Sequence, residues 1–163
     1  MKKRTVIHII IGIVALAILI GCRIVFPSNG YYLSLEECEK NNKNSLADAQ
    51  LVTKCEAEDF IYEVWSNDLD ELYVIQIHNK NVLGIDQYKI KQSYAYSMEK
   101  ALNYYKETNK LKWTNCPEID VFKEPIFSWC LITNNEDTLQ NLSYNHVIIN
   151  YNNEQCVLLY NID

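Results

Sequence analysis

Phe60-Ile61-Tyr62-Glu63-Val64-Trp65 is followed by Asn67-Asp68-Leu69-Asp70 and then by Leu72-Tyr73-Val74-Ile75-Gln76-Ile77. The first run alternates Phe60, Tyr62 and Val64 with Ile61, Glu63 and Trp65. The last run sets Tyr73, Ile75 and Ile77 on one face. A period of two, carried by aromatic and β-branched residues, is the pattern of a strand, and the polar stretch between the runs reads as a turn. Asn79-Lys80-Asn81 reads as a second turn, with Val82 to about Lys91 returning. Three consecutive strands with short polar connections form an antiparallel meander.

Working outward toward the C-terminus, Tyr94, Met98, Leu102 and Tyr105 share a helical face, and Met98-Glu99-Lys100-Ala101-Leu102 favours helix by propensity. A helix is expected from Ser97 to Thr108, although Tyr94-Ala95-Tyr96 also fits a continued strand. Lys112 to Pro117 reads as irregular. Ile126 to Thr133 reads as a strand and Asn134-Asn135-Glu136-Asp137 as a loop. His146–Tyr151 and Gln155–Tyr160 form a closing hairpin around Asn152-Asn153. Toward the N-terminus, Ser34-Leu35-Glu36-Glu37 is a capping box that starts a helix running to about Lys43. Leu46, Ala49 and Val52 suggest a second helix over Ser45–Lys54. The expected fold is α+β: an N-terminal membrane segment, one or two helices, then a five- or six-stranded, mainly antiparallel sheet. Residues 1–22 are the leader, 23–33 a tether with the turn-rich Pro27-Ser28-Asn29-Gly30, and 34–163 a single domain.

The leader begins with Lys2, Lys3 and Arg4 and continues as an apolar run from Thr5 to Cys22, the pattern of an export signal. As a helix that run is about 27 Å long, against about 30 Å for a bilayer core. Extended to Phe26, with Arg23 snorkelling to the headgroups, it becomes a spanning helix over 5–26. Leu19-Ile20-Gly21-Cys22 resembles the bacterial lipobox, in which the Cys receives a lipid. That resemblance covers only the first 22 residues. It implies diacylglyceryl transfer to Cys22 and cleavage before it. The rival is an uncleaved signal anchor with its cationic flank inside. Both place the body outside the cytoplasmic membrane. Cleavage at Ala15-Leu16-Ala17 would leave Ile18, Leu19 and Ile20 exposed at the new terminus. In leader and general style the chain resembles small lipoproteins of low-GC Gram-positive bacteria.

All 21 acidic residues follow Cys22, against 12 basic ones there, so the body carries about −9. That balance argues against nucleic acid and against anionic lipid as partners of the body. Asn occupies 18 positions, a composition that reads as an AT-rich coding bias. Five cysteines follow Cys22. The shortest loops pair Cys38 with Cys55 and Cys116 with Cys130, each closing about 15 residues, worth roughly 3 kcal/mol by chain entropy. Five cysteines allow 15 two-bridge arrangements, and buried free thiols are the alternative. No pair has zinc-knuckle spacing.

The chemistry of catalysis is thinly represented. The body's only glycines, Gly30 and Gly84, frame neither a nucleophilic serine nor a phosphate loop. Nothing beside Cys156 supports its use with His146 as a nucleophile pair. His78 and His146 read as surface or hydrogen-bonded residues. The acidic groups Glu56, Glu58, Asp59, Glu63 and Asp68, Asp70, Glu71 read as solvated turns, or as the carboxylate pair of a hydrolase. Trp65, Tyr73 and Tyr88 mark the sheet face on which a binding site is expected, with Trp113 and Trp129 as later aromatic candidates. No cofactor and no metal is implied. The expected function is a non-enzymatic, membrane-tethered binding or accessory domain for a protein or small ligand. A cell-wall or extracellular hydrolase and an immunity or inhibitor protein are the alternatives.

Overall fold

The computed structural model describes residues 3–25, 30–43, 46, 48–67, 70–116, 125–134 and 143–162, without the side chains of residues 3–5, 23–25 and 43. Among the described residues three helices, α1 (Lys3–Val25), α2 (Leu35–Lys43) and α3 (Met98–Thr108), accompany eight strands. The strands are β1 (Gln50–Ala57), β2 (Phe60–Ser66), β3 (Glu71–Val82), β4 (Ile85–Ser97), β5 (Thr114–Cys116), β6 (Phe127–Thr133), β7 (Asn145–Tyr151) and β8 (Glu154–Ile162). The class is α+β, as expected. The single sheet is not found. Two four-stranded antiparallel sheets form instead, in the orders β1-β2-β3-β4 and β5-β6-β8-β7.

The two sheets pack face to face. Phe60, Tyr62, Val64, Leu72 and Val74 from the first meet Phe127, Trp129, Leu131, Ile149 and Leu158 from the second, with Met98 and Leu102 of α3 joining them. The alternation in β2 is what makes this possible. Its odd-numbered residues, Ile61 and Trp65, turn to the opposite face and pack beneath α2 with Cys38, Ile75 and Ile77. β6 and β8 repeat the arrangement, sending Cys130, Ile132, Val157 and Leu159 outward toward Tyr105, Leu111 and Trp113. Both central strands of each sheet are therefore covered on two faces, the origin of their long apolar runs.

The local signals hold where the chain reads itself. Ser34 Oγ accepts from Glu37 N at 3.2 Å, so the capping box opens α2 as the spacing requires. Ser97 caps α3 through Lys100 N at 3.2 Å. Asn152 and Asn153, at φ 49° and 63°, supply the left-handed pair of a two-residue hairpin. Other expectations fail. Gln50–Ala57 is a strand, not helix. Leu46 and Ala49 are buried as their spacing implies, but from Thr53 to Ala57 the chain pairs with β2 residue by residue. The turn expected at Asn79–Asn81 moves to Leu83-Gly84, both at positive φ, and Asn81 Oδ1 accepts from Gly84 N at 2.8 Å. Thr114–Cys116 pairs with β6 although its sequence reads as irregular. The turn at Asp68-Leu69, the loop at 135–137 and tether residues 26–29 lie outside the described residues.

In α1 the apolar side chains from Val6 to Ile20 are exposed, Leu19 by 64%. Among the described residues no helix is long and apolar enough to cross a membrane. The side chains described in α1 run only from Val6 to Cys22, and the span expected over 5–26 reaches beyond them. After the tether, Tyr32 is hydrogen-bonded to Tyr88 in both directions, at 2.7 and 2.9 Å, on the open edge of β4.

Candidate functional site

The residues singled out by sequence are mostly dispersed. Cys22 is exposed near the end of α1. None of the six cysteines is in a disulfide. Cys38 is on the buried face of α2, while Cys55 contacts the core between the sheets, so the first sheet separates them. Cys116 faces inward and Cys130 outward across the second sheet. The two short-loop pairings are not formed, for that reason. Burial pushes the Cys38 thiol up to about 11 and those of Cys55 and Cys130 to about 12, which leaves them weak nucleophiles. Cys156 is buried inward, paired across from Ile149, while His146 is exposed, so the two do not meet.

The carboxylates do not gather in a cleft. Glu58 and Asp59 occupy the β1–β2 turn and Glu56 is exposed. Glu71 accepts from Asn67 and from the Tyr73 hydroxyl. Asp68 lies outside the described residues. Glu63 is brought against Glu39 of α2, but at 1% exposure it is sealed from any substrate. Trp65 Nε1 donates to it at 3.1 Å, and Lys54 lies 3.6 Å away. Burial, first, and then the hydrogen bond and charge of Glu39 raise its carboxyl to about 7. This is a structural cluster. It also occupies the face where Trp65, Tyr73 and Tyr88 were expected to line a groove. That face is covered by α2, with Leu35, Cys38 and Ile75 packed against the three aromatics. Trp113 packs outside the second sheet against the Tyr144 ring, at 4.8 Å between centroids.

The concave surface lies elsewhere, along one flank of the sandwich. β1 is an edge of the first sheet and β7 an edge of the second, and the two edges approach each other. Beside the end of β7 and its turn into β8, facing the residue that follows β2, lies a cavity of about 540 Å³ lined by Asn67, Asn150, Tyr151, Asn152 and Asn153. A second lobe of about 310 Å³ shares Asn67 and Asn150 and extends past Gln50, Ser66 and Asp48. Each element places its residue for a local reason. Asn67 ends β2, where its Oδ1 accepts from Glu71 N at 3.0 Å and closes the turn into β3. Asn152 and Asn153 are there because a two-residue hairpin needs two left-handed residues. Asn150 lies in β7 itself. Leu51 and Ile148, 47% and 51% exposed, supply the apolar part of the second lobe. Among the described residues Asp48 is the only charged one on either lining.

The floor of this flank is fixed by Asp70. Its backbone is left-handed, at φ 73°. Its carboxylate accepts from Ser97 Oγ at 2.8 Å, from Glu99 N at 2.5 Å and from the Tyr151 hydroxyl. Its carbonyl accepts from Met98 N at 3.0 Å. Burial alone would raise this carboxyl. The bonds from Tyr151, Ser97 and Glu99 outweigh burial and hold it below the ordinary carboxylate value. Burial and the same bond push the Tyr151 phenol up to about 12. One side chain thus ties the start of β3, the N-terminus of α3 and the end of β7.

Sequence reasoning missed this flank because it discounted Asn as a compositional bias. The signal present was positional: Asn67 and the Asn152-Asn153 pair both sit at turns. Among the described residues no group of three or more His, Cys, Asp and Glu is placed to hold a metal ion. No family model, no curated protein and no solved structure matches this chain.

Proposed function

We propose that the protein is a membrane-tethered extracytoplasmic binding domain, not an enzyme, that takes an extended, uncharged polypeptide segment along the β1/β7 flank. The observation that carries this is the amide lining shared by the two lobes. A primary amide offers two donors and an acceptor, the complement of a peptide main chain. Two sheet edges border the groove, and an extended segment adds to such an edge through its own main-chain bonds. Leu51 and Ile148 on the second lobe suit alternate apolar side chains. Among the described lining residues only Asp48 is charged, which favours a neutral ligand, since a buried charge without a partner is costly.

The tether rests on the leader. The exposed apolar side chains of α1 need a nonaqueous partner, and membrane supplies one. Cys22, exposed near its end, is the lipid acceptor in the lipoprotein form of this reading. Gel mobility of a Cys22→Ala variant decides between the two anchors: altered processing supports lipidation, and unchanged processing with membrane retention supports the uncleaved helix.

Ligand binding is tested by following backbone and Asn side-chain amide signals of the full chain in micelles. The titrants are capped, uncharged pentapeptides of alternating apolar and polar residues. Signals of Asn67, Asn150 and Asn152 should move together. A set of such peptides that leaves all three in place refutes the proposal. Movement with neutral oligosaccharides alone reassigns the ligand.

A further inference from the structure

One end of the first sheet carries side chains that the fold itself does not use. The β3–β4 hairpin closes through Leu83-Gly84, at φ 56° and 86°, the left-handed pair of a tight two-residue turn. Asn-Gly suits such a turn, whereas a bulky side chain at positive φ is strained. Leu83 stands there nonetheless, and at 73% it is more exposed than any other large apolar side chain among the described residues. Val82 and Ile85, paired across the ladder beside it, extend the apolar tip, and Ile85 is 37% exposed. None of the three packs in a core of the described residues. The turn is held in place by Asn81, whose Oδ1 accepts from Gly84 N at 2.8 Å and whose Nδ2 donates to Asp86 at 2.7 Å. A leucine that strains the turn and buries nothing within the fold asks for a partner outside it.

Behind the tip, on the hairpin face that carries Val82 and Ile85, sit Lys80 and Lys89. Lys80 Nζ lies 3.7 Å from the centroid of the Tyr31 ring, and Lys89 Nζ lies 5.6 Å from it. The Tyr31 hydroxyl is hydrogen-bonded to His78 Nδ1 at 2.7 Å, which pins the ring to β3. Among the described residues neither lysine is paired with a carboxylate. Asp86, the acid beside the tip, is on the opposite face with Asn81. An apolar tip, then an aromatic ring and long cationic stems, is the depth order of a surface seated in a bilayer interface.

The chain keeps this tip within reach of the bilayer. Residues 26–29 separate α1 from Gly30, and four residues span at most about 14 Å. Tyr32 is then bonded to Tyr88, and Gly84 lies about 13 Å further along β4. The two reaches are comparable, so anchor and tip can meet one surface. We propose that the β3–β4 hairpin docks the body on the lipid surface that holds α1, with Leu83 and Ile85 entering the interface and Lys80 and Lys89 meeting lipid phosphates. This docking rests on the membrane tether proposed above. A net charge of about −9 disfavours an anionic bilayer for the body as a whole, so a cationic, apolar end sets its orientation. Docked this way, the body turns its amide groove outward. Asn67 and the tip lie at opposite ends of β3, whose 12 residues span about 36 Å.

The test uses the full chain in phosphatidylcholine nanodiscs that carry a small share of nitroxide-labelled lipid. Co-elution with the discs reports the tether, and loss of backbone amide intensity reports docking. Leu83, Gly84 and Ile85 should lose intensity, while Asn152 and Asn153 in the β7–β8 turn keep theirs. Leu83→Asn places a favoured residue at positive φ, so the hairpin stands. Combined with Ile85→Thr, it should restore the tip signals without releasing the chain from the discs. Phosphatidylglycerol in the discs should deepen the loss, and Lys80→Gln with Lys89→Gln should cancel that gain. A gain that survives both substitutions overturns the role of the lysines. Co-elution with tip amides as intense as those of Asn152 and Asn153 overturns the docking and leaves the tether standing. So does a loss at the tip that persists in the Leu83→Asn, Ile85→Thr protein. A chain that does not co-elute removes the tether, and the docking with it.

Discussion

The two flanks of this sandwich are built from the same kind of material and present opposite chemistry. Along β1/β7 the edges face each other across a groove lined by amides, which donate and accept in near balance. Along β4/β5 the gap is bridged by α3, and the small cavity left behind is lined, among the described residues, by Lys100, Lys112 and Trp129 and by no acid. A net charge of about −9 describes neither flank. Exclusion of anionic partners from net charge holds for the surface as a whole, whereas a cavity is governed by the few groups that line it. Asp70 joins the two. It bonds Tyr151 on one side and the N-terminus of α3 on the other.

The comparison breaks most completely if the shared core fails. Trp129 lines the donor cavity and also fills the space between the sheets. Trp129→Ala should cost about 3–5 kcal/mol, as for large aromatic deletions in cores, and should abolish both flanks at once in a thermal melt followed by amide signals. Trp129→Phe keeps most of the packing and removes a donor that has no partner among the described residues. It should cost much less and leave the amide flank intact.

Glu63 sharpens the comparison from behind, since it lies on the outer face of the first sheet and belongs to neither flank. Its folded-state value, about 7, is above the ordinary 4.5. A raised carboxyl favours the fold where it is protonated. The stabilisation is full below about pH 4.5 and is lost as pH rises through about 7, on the order of 2–3 kcal/mol from the size of the shift. Glu39, Cys38, Lys54 and Trp65 are the groups around it. Glu63→Gln keeps an acceptor for Trp65 and removes the titration, so denaturant midpoints should become flat across that window. A slope that survives the substitution places the pH dependence elsewhere.

Asp70→Ala tests whether the flanks are tied together. It removes the acceptor for Ser97, Glu99 N and Tyr151, a loss comparable to a helix cap, about 1–2 kcal/mol. Because the folded carboxyl is lowered, the wild-type contribution is present above its ordinary value of 3.8 and fades as pH falls below it. Hydrogen exchange should quicken at the start of α3 and at the end of β7 together. Quickening at α3 alone would show that the flanks are independent.

How far each flank could be read in advance differs too. The meander was legible because the alternation in β2 and β3 records burial on two faces. α2 was legible because Ser34 caps it within three residues, and α3 because its apolar residues recur on one helical face and its residues favour helix. These are local signals. What the chain does not announce is which strands pair at long range. β6 bonds β8 and skips β7, and β5 is three residues whose strand character comes only from lying beside β6. The division into two sheets follows from those pairings, and both flanks are products of the division. Neither the amide groove nor the donor cavity has a sequence motif, since residues more than eighty positions apart, such as Asn67 and Asn150, become neighbours only when the sheets stack.

Asn150→Ala is the mildest of these changes and the most discriminating. Asn150 is exposed, and its backbone pairing with Gln155 does not depend on its side chain. Stability should therefore change by no more than about 0.5 kcal/mol. Its amide, however, faces both lobes of the groove. Loss of a donor–acceptor pair from a main-chain ligand should weaken peptide binding about tenfold. If the substitution also quickens hydrogen exchange at the start of α3 while the fold stays intact, the groove is coupled to that helix through Asp70, which touches both the Tyr151 side and the α3 side of the sandwich.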